Sequence, residues 1–297
     1  MVRHGRSWPA ELLKTPLSKA GGPRRHAFIG DTQSRPGAPT DHLPWIGEYI
    51  AEKRPDVIVH AGDHYDLPSL NAHEKEGSAP LEGARYKDDI EAGRFAWGEL
   101  VGPIDREIER RRKNHKLRWE PERHVTLGNH ENRADRAANN NPKLIGTLGT
   151  QDCTFGDWEV HPFLARVFVD DICYSHYFQN SHSNFPIGGG IENRLARIGC
   201  SFVCGHEQGM RYGLKIMASG KTLHGLVLGS TYLHLEPYRG AQGQRHKRGI
   251  AFLHEVEEGD FDFMFVSLRY LCRHYEGMPL DRYMKLKYPN GDWTHLQ

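Results

Sequence analysis

Short apolar runs that break into glycine-led, polar turns set the pattern of this chain. The sharpest runs from Val57 to Asp66, where Val57, Ile58, Val59 and Ala61 lead straight into Gly62-Asp63-His64-Tyr65-Asp66. A short apolar run after Pro55 and ending at glycine reads as a buried, parallel strand. Gly62 lets the backbone turn sharply, which sets Asp63 at the strand's carboxyl edge, where α/β sheets collect ligands. Three other runs end alike. His26 to Gly30 meets Asp31-Thr32-Gln33, His124 to Leu127 meets Gly128-Asn129-His130-Glu131, and Ser201 to Cys204 meets Gly205-His206-Glu207-Gln208.

The segments between these runs have a helical or alternating period. Asp41 is a suitable N-cap for a helix to about Lys53, with Leu43, Ile46 and Ile50 on its inner face. Strand, turn, helix, strand and turn make a βαβ unit, so the Asp31 and Asp63 turns are expected side by side. From about 67 to 123 the chain is polar and reads as a helical insertion, with helices at Leu81 to Leu100 and Ile104 to Lys113. A helix is expected from His130 to about Ala138, and another from Ile191 to Ile198. Ala165 to Val169 and Ile172 to Phe178 read as paired strands around an Asp170-Asp171 turn, with His176 inside the second. Tyr212 to Met217, Thr222 to Leu228, Gly249 to Glu255 and Asp260 to Leu268 read as antiparallel strands. The sum is an α/β sandwich with both sheet faces covered. The expected organisation is a loose basic lead-in over 1–25, one domain over 26–270 and a C-terminal extension over 271–297.

Composition narrows the setting. The 297 residues are 38% hydrophobic and 26% charged, enough for one large domain. Lys and Arg number 39 against 38 acidic residues, so any nucleic-acid contact must come from a local patch. Two patches qualify: Arg106 to Arg118, which includes Lys116, and the loop Arg239 to Arg248 with Arg245, His246, Lys247 and Arg248. No apolar run approaches the ~18–20 residues of a membrane span. The five cysteines form no Cys-x-x-Cys pair, so reduced thiols and a cytoplasmic location are expected.

Asp31, Asp63, Asn129 with His130, and His206 thus stand at four strand ends, and His176 adds a fifth group. Carboxylate, amide and imidazole ligands together suit Mn²⁺, Fe or Zn²⁺. The order Asp-x-x, Gly-Asp-x-x-Asp, Gly-Asn-His-Glu, lone His, Gly-His-x-x resembles the calcineurin-like metallophosphoesterase family over about residues 26 to 230. It also looks like the stand-alone phosphoesterases of bacteriophages and prophages. The resemblance implies a four-layer α/β/β/α sandwich with mixed sheets and a dinuclear centre. Asp63 would bridge two ions. Asp31 would belong to the first site, and Asn129, His176 and His206 to the second, with His182 as the alternative to His176. His130 would stand over the scissile phosphate and Asp66 would buttress its loop. Two cations about 3.5–4 Å apart generate hydroxide near neutral pH and neutralise phosphoryl oxygens. His161 and His246, among the remaining histidines, read as surface or packing residues.

The sequence departs from the family where most members carry two further histidines, here Gln33 and Gln208. An all-oxygen first site (Asp31, Gln33, Asp63, Gln208) would favour Mg²⁺ or Mn²⁺, and Mn²⁺ is the ion both sites tolerate. The expected activity is metal-dependent hydrolysis of phosphodiesters in nucleic acid or nucleotides, with Arg245, Arg248 and His64 contacting substrate. GNHENR (Gly128 to Arg133) also resembles phosphoprotein phosphatases, so a phosphomonoesterase is the alternative. A weakly active chain retained as a binding module is a third reading. The oligomeric state is not legible.

Overall fold

The computed structural model describes residues 22–71, 81–114, 118–236 and 240–296. In chain order its elements are β1 (Arg24–Ile29), α1 (His42–Lys53), β2 (Val57–His60), α2 (Tyr86–Arg112), β3 (Glu122–Thr126), α3 (Asn132–Asn140), β4 (Glu159–His161), β5 (Val167–Val169) and β6 (Ile172–Ser175). There follow α4 (Ile191–Ile198), β7 (Phe202–Cys204), β8 (Met210–Ile216), β9 (Thr222–Leu228), a single turn α5 (Gly240–Gly243), β10 (Gly249–Glu257), β11 (Asp260–Ser267), α6 (Leu268–Glu276) and α7 (Leu280–Lys287). Lead-in residues 1–21, and Lys116 and Arg239 of the two cationic segments, lie outside the described residues.

The strands form two mixed sheets, ordered β11-β10-β1-β2-β3-β4 and β5-β6-β7-β9-β8. Alternation decides which layer each side chain joins. Phe28, Val57, Val59, Ala251 and Leu253 of the first sheet meet Ile172, Tyr174, Val203, Leu226 and Leu228 of the second. Their neighbours Ala27, Ile29, Ile58, Ile250 and Phe252 face outward against Leu43, Ile46 and Ile50 of α1, Trp97 and Leu100 of α2, and Leu271 of α6. On the far side Cys173, Phe202 and Val227 pack on Leu195 of α4. Helix, sheet, sheet, helix is therefore the order of layers. Leu271, Cys272, Leu280, Met284, Trp293 and Leu296 belong to the same outer core as α1 and α2.

Three local expectations are corrected. The two helices expected at Leu81 to Leu100 and Ile104 to Lys113 are one helix, α2, that runs through Pro103. Packing on α1 outweighs the break: a Cβ on Gly47 would lie 2.3 Å from the Leu100 carbonyl and 3.0 Å from the Pro103 ring. Gly47 thereby makes the groove in which the proline sits. The strands after 210 are not all antiparallel, because β9 pairs antiparallel with β8 but parallel with β7. Finally, β6 stops at Ser175, so His176 lies just past a strand end rather than inside one.

Candidate metal centre

The carboxyl ends of β1, β2 and β3 in one sheet meet those of β6 and β7 in the other. Backbone hydrogen bonds tie the loops together: Gln33 N–H donates to the Asp63 carbonyl (2.8 Å) and Gly205 N–H to the His176 carbonyl (3.0 Å). Side chains finish the lacing, with His206 N–H donating to Asp31 Oδ1 (3.0 Å) and His130 N–H to Asp63 Oδ1 (2.8 Å). Gln33, Asp63 and His206 hold φ of +42°, +47° and +65°, left-handed values that side chains other than glycine rarely adopt. Such strain persists where its surroundings enforce it, commonly at functional sites. At Gly128 and Gly205 a Cβ would fall 2.0 Å from Asp63 Oδ1 and 2.2 Å from Asp31 Oδ1, so both carboxylates sit in cradles that a side chain would fill.

Asp63, Asn129, His176 and His206 converge. His176 Nε2 lies 2.9 Å from Asn129 Oδ1 and 3.3 Å from Asp63 Oδ2, and His206 Nδ1 lies 2.8 Å from Asn129 Oδ1. The other His176 nitrogen, Nδ1, donates to the Ala61 carbonyl (2.8 Å). That bond fixes the neutral ring with its Nε2 lone pair aimed at two oxygen acceptors. A cation, either a proton or a metal ion, reconciles such a cluster. Burial alone would lower the His176 pKa, but the charge and hydrogen bond of Asp63 and the charge of Asp31 push it up to about 9. His206, half-buried and beside His176, falls to about 4 through desolvation and the His176 charge, and is neutral. Asp63 is held below the usual carboxylate range, because His130 and His176 outweigh its burial. Asp31 is raised to about 7 by burial, with Asp63 adding to it. Asp31 Oδ2 and Gln33 Oε1 are buried acceptors without a hydrogen-bond donor. The residues present therefore fit divalent cations: one donor set is assembled, and two orphaned oxygens border it.

Glu131 is the residue that sequence reasoning missed. Its Oε2 accepts from the N–H groups of Asp63 and Gly128 (both 2.9 Å), and its Oε1 from those of His64 (2.7 Å) and Tyr65 (2.9 Å). One buried carboxylate thus binds the Asp63 turn to the Asn129 turn. Burial and the Asp63 charge push its carboxyl up, while the N–H donors favour the anion. The signal was its place inside Gly-Asn-His-Glu, an acid in an otherwise uncharged turn. Asp66 takes His130 Nδ1 (2.7 Å) and Arg35 Nη1 (3.0 Å). Arg133, also missed, reaches His130 Nε2 (3.1 Å) and the Asp66 carbonyl (2.6 Å). His130 Nε2 is 3.7 Å from Asp63 Oδ2.

Two of the expected substrate contacts sit elsewhere. His64 is fully buried, with Nδ1 on the Thr32 hydroxyl (2.7 Å) and Nε2 on the Gly93 carbonyl (2.9 Å); its ring packs against Trp97 and Tyr65. The turn at Asp63 aims successive side chains apart, and this one enters the core. Arg248 is buried too: its guanidinium lies over the Tyr232 ring and donates to the Gln244 carbonyl (3.2 Å). Arg245 is exposed. In the other cationic segment, Arg110 and Arg111 pair with Glu107, Arg112 and Lys113 with Glu109, and Arg106 with Glu48.

A sequence model of calcineurin-like phosphoesterases matches residues 24–253, and no curated protein matches the chain. Two mixed sheets with metal-type ligands gathered at their carboxyl ends define a metallophosphoesterase fold. The chain belongs to the calcineurin-like phosphoesterase family, and is a metal-dependent hydrolase of phosphoester bonds. Among the described residues no helix is long and apolar enough to cross a membrane.

Proposed function

We propose that the chain is a phosphodiesterase acting on nucleic acid or nucleotides. Asp63 would serve both ion sites, which would take Mn²⁺ before Mg²⁺, Fe or Zn²⁺. Asn129, His176 and His206 would complete one ligand set, and Asp31, Gln33 and Gln208 the other. Bound there, the ions supply an activated water and neutralise the phosphoryl oxygens. Asp66 holds the His130 ring so that Nε2 faces the centre, from which it donates a proton to the leaving oxygen. Burial disfavours the imidazolium and the hydrogen bond to Asp66 favours it, so Asp66 supports an acid working near neutral pH.

The observation that carries the choice of substrate is the loop from Arg245 to Arg248. A Cβ on Gly209, three residues after His206, would stand 3.4 Å from His246 Cβ, so this loop packs against the turn that carries His206. Arg245, His246, Lys247, Arg248 and Arg269 line a cavity of about 240 Å³. The cations of α2 are paired with acids and contribute less. We expect binding to weaken with salt, with a log–log slope of about −0.9 per phosphate contact on duplex DNA and about −0.7 on single strands. Arg245→Ala with Lys247→Ala should flatten that slope. Salt-independent binding, or none to either DNA or RNA, defeats the proposal.

The glutamines make a second expectation. Neutral amide oxygen is a weaker donor than imidazole toward Mn²⁺, so the Asp31 set should release its ion first to a chelator. Gln33→His together with Gln208→His should tighten that ion, and either change alone should do less. Calorimetric metal titration of wild type and the three variants measures this; equal affinities, or no response to the double change, remove both glutamines from the ligand set. The test of the whole reading is hydrolysis of bis-p-nitrophenyl phosphate against p-nitrophenyl phosphate with each divalent ion in turn. Preference for the monoester would favour a phosphomonoesterase instead.

A further inference from the structure

A second group of ligand atoms lies apart from the hydrolytic centre, on the last two strands of the first sheet. Parallel pairing sets His124 beside Glu159 and Thr126 beside His161, so alternate positions of β3 and β4 present His124, Glu159 and His161 on one face. His124 Nδ1 lies 3.1 Å from His161 Nε2 and 3.4 Å from Glu159 Oε2, and His161 Nε2 lies 3.8 Å from Glu159 Oε1. Atoms bound about 2.0–2.1 Å from a tetrahedral zinc stand about 3.3–3.4 Å from one another. The two separations from His124 Nδ1 bracket that value, and His161 meets the other Glu159 oxygen. His124 is only 8% exposed, and its other nitrogen, Nε2, is buried without a hydrogen bond, facing Glu122 Oε2 at 3.9 Å. A metal-bound histidine ordinarily turns its second nitrogen toward a carboxylate; Glu122, the nearest to His124 Nε2, is paired with Arg24 at 2.9 Å. An N–H···N bond between the rings would account for the 3.1 Å contact alone. It leaves the converging Glu159 and the unbonded, buried Nε2 of His124 unexplained.

We propose that His124, Glu159 and His161 bind a zinc-type transition-metal ion, separate from the ions of the hydrolytic centre. Two imidazoles and one carboxylate suit Zn²⁺ better than Mg²⁺ or Ca²⁺, and the exposed Glu159 side leaves the fourth position to water. The ion would bind the edge strand β4 to β3.

Zinc content per chain, measured by elemental analysis after equilibration with dilute ZnCl₂ and gel filtration, tests this. Wild type is compared with Glu159→Ala and His161→Ala, and all three are repeated with Asp63→Asn to weaken the hydrolytic centre. The expected result is one Zn²⁺ fewer in each variant in both backgrounds, with hydrolysis of bis-p-nitrophenyl phosphate by Mn²⁺-loaded protein unchanged. Equal zinc content in wild type and variants overturns the site. Zinc and hydrolysis lost together would also overturn it, since the cluster would then not be separate. The Glu159 side chain is 66% exposed, so its removal should not unfold the chain. If Asp63→Asn does not fold, the comparison in the wild-type background decides alone.

Discussion

His130→Ala is expected to keep its metal ions and lose about 10²–10⁴-fold in turnover, the usual contribution of a positioned general acid. The ring is fixed at both ends. Nδ1 bonds Asp66 Oδ1 at 2.7 Å, and Nε2 lies 3.7 Å from Asp63 Oδ2 with Arg133 at 3.1 Å. Alanine removes the proton donor, while Asp63, Asn129, His176 and His206 stay in place. The pH profile gives a second reading. The acid form of His130 is present at low pH and lost as pH rises through its pKa. Wild type should therefore show an alkaline fall in kcat that the variant lacks. Elemental analysis and kinetics on bis-p-nitrophenyl phosphate check both points; near-normal turnover at full metal occupancy would take His130 out of the chemistry.

Glu131→Ala should be the most damaging change to stability. It strips the acceptor from the N–H groups of Asp63, His64, Tyr65 and Gly128 at once. A buried donor left unsatisfied costs about 1–3 kcal/mol, so four lose at least about 4 kcal/mol where whole domains have about 5–15. The melting midpoint should drop by about 8–16 °C even at that lower bound. Glu131→Gln keeps one oxygen but turns an NH₂ toward two N–H donors, and should fall between. Calorimetry on the metal-free proteins makes the comparison. An alanine variant that melts with wild type would mean that water has entered and satisfied the turn.

The strand ends were legible because each carries a local mark: a short apolar run, a glycine and a polar ligand, as at Val57 to Asp63. Strong periodicity also gave α1 and α4 close to their observed bounds. What failed depended on contacts between distant segments. Pro103 signals a break in any isolated helix, and only the groove at Gly47 lets α2 pass through it. β4 has three residues and is a strand because β3 lies beside it. His64 sits one residue after a ligand position, and nothing local says that its ring turns inward to Trp97. Glu131 acts on backbone N–H groups 66 to 68 positions away in the chain, a relation that residue types alone do not carry.

Asp63 and Asn129 follow strands of one sheet, whereas His176 and His206 follow strands of the other. An ion shared by all four is a cross-link between two halves that are otherwise joined there by apolar packing and by hydrogen bonds such as His206 N–H to Asp31 and His176 Nδ1 to Ala61. Its binding energy would count toward holding the sandwich shut, since the ligand cluster exists only while the sheets are in register. Chelation should then loosen the molecule unevenly. Amide exchange should quicken first at the mouth of the seam, around 174–178 and 203–208, while the far ends of the same strands keep their protection.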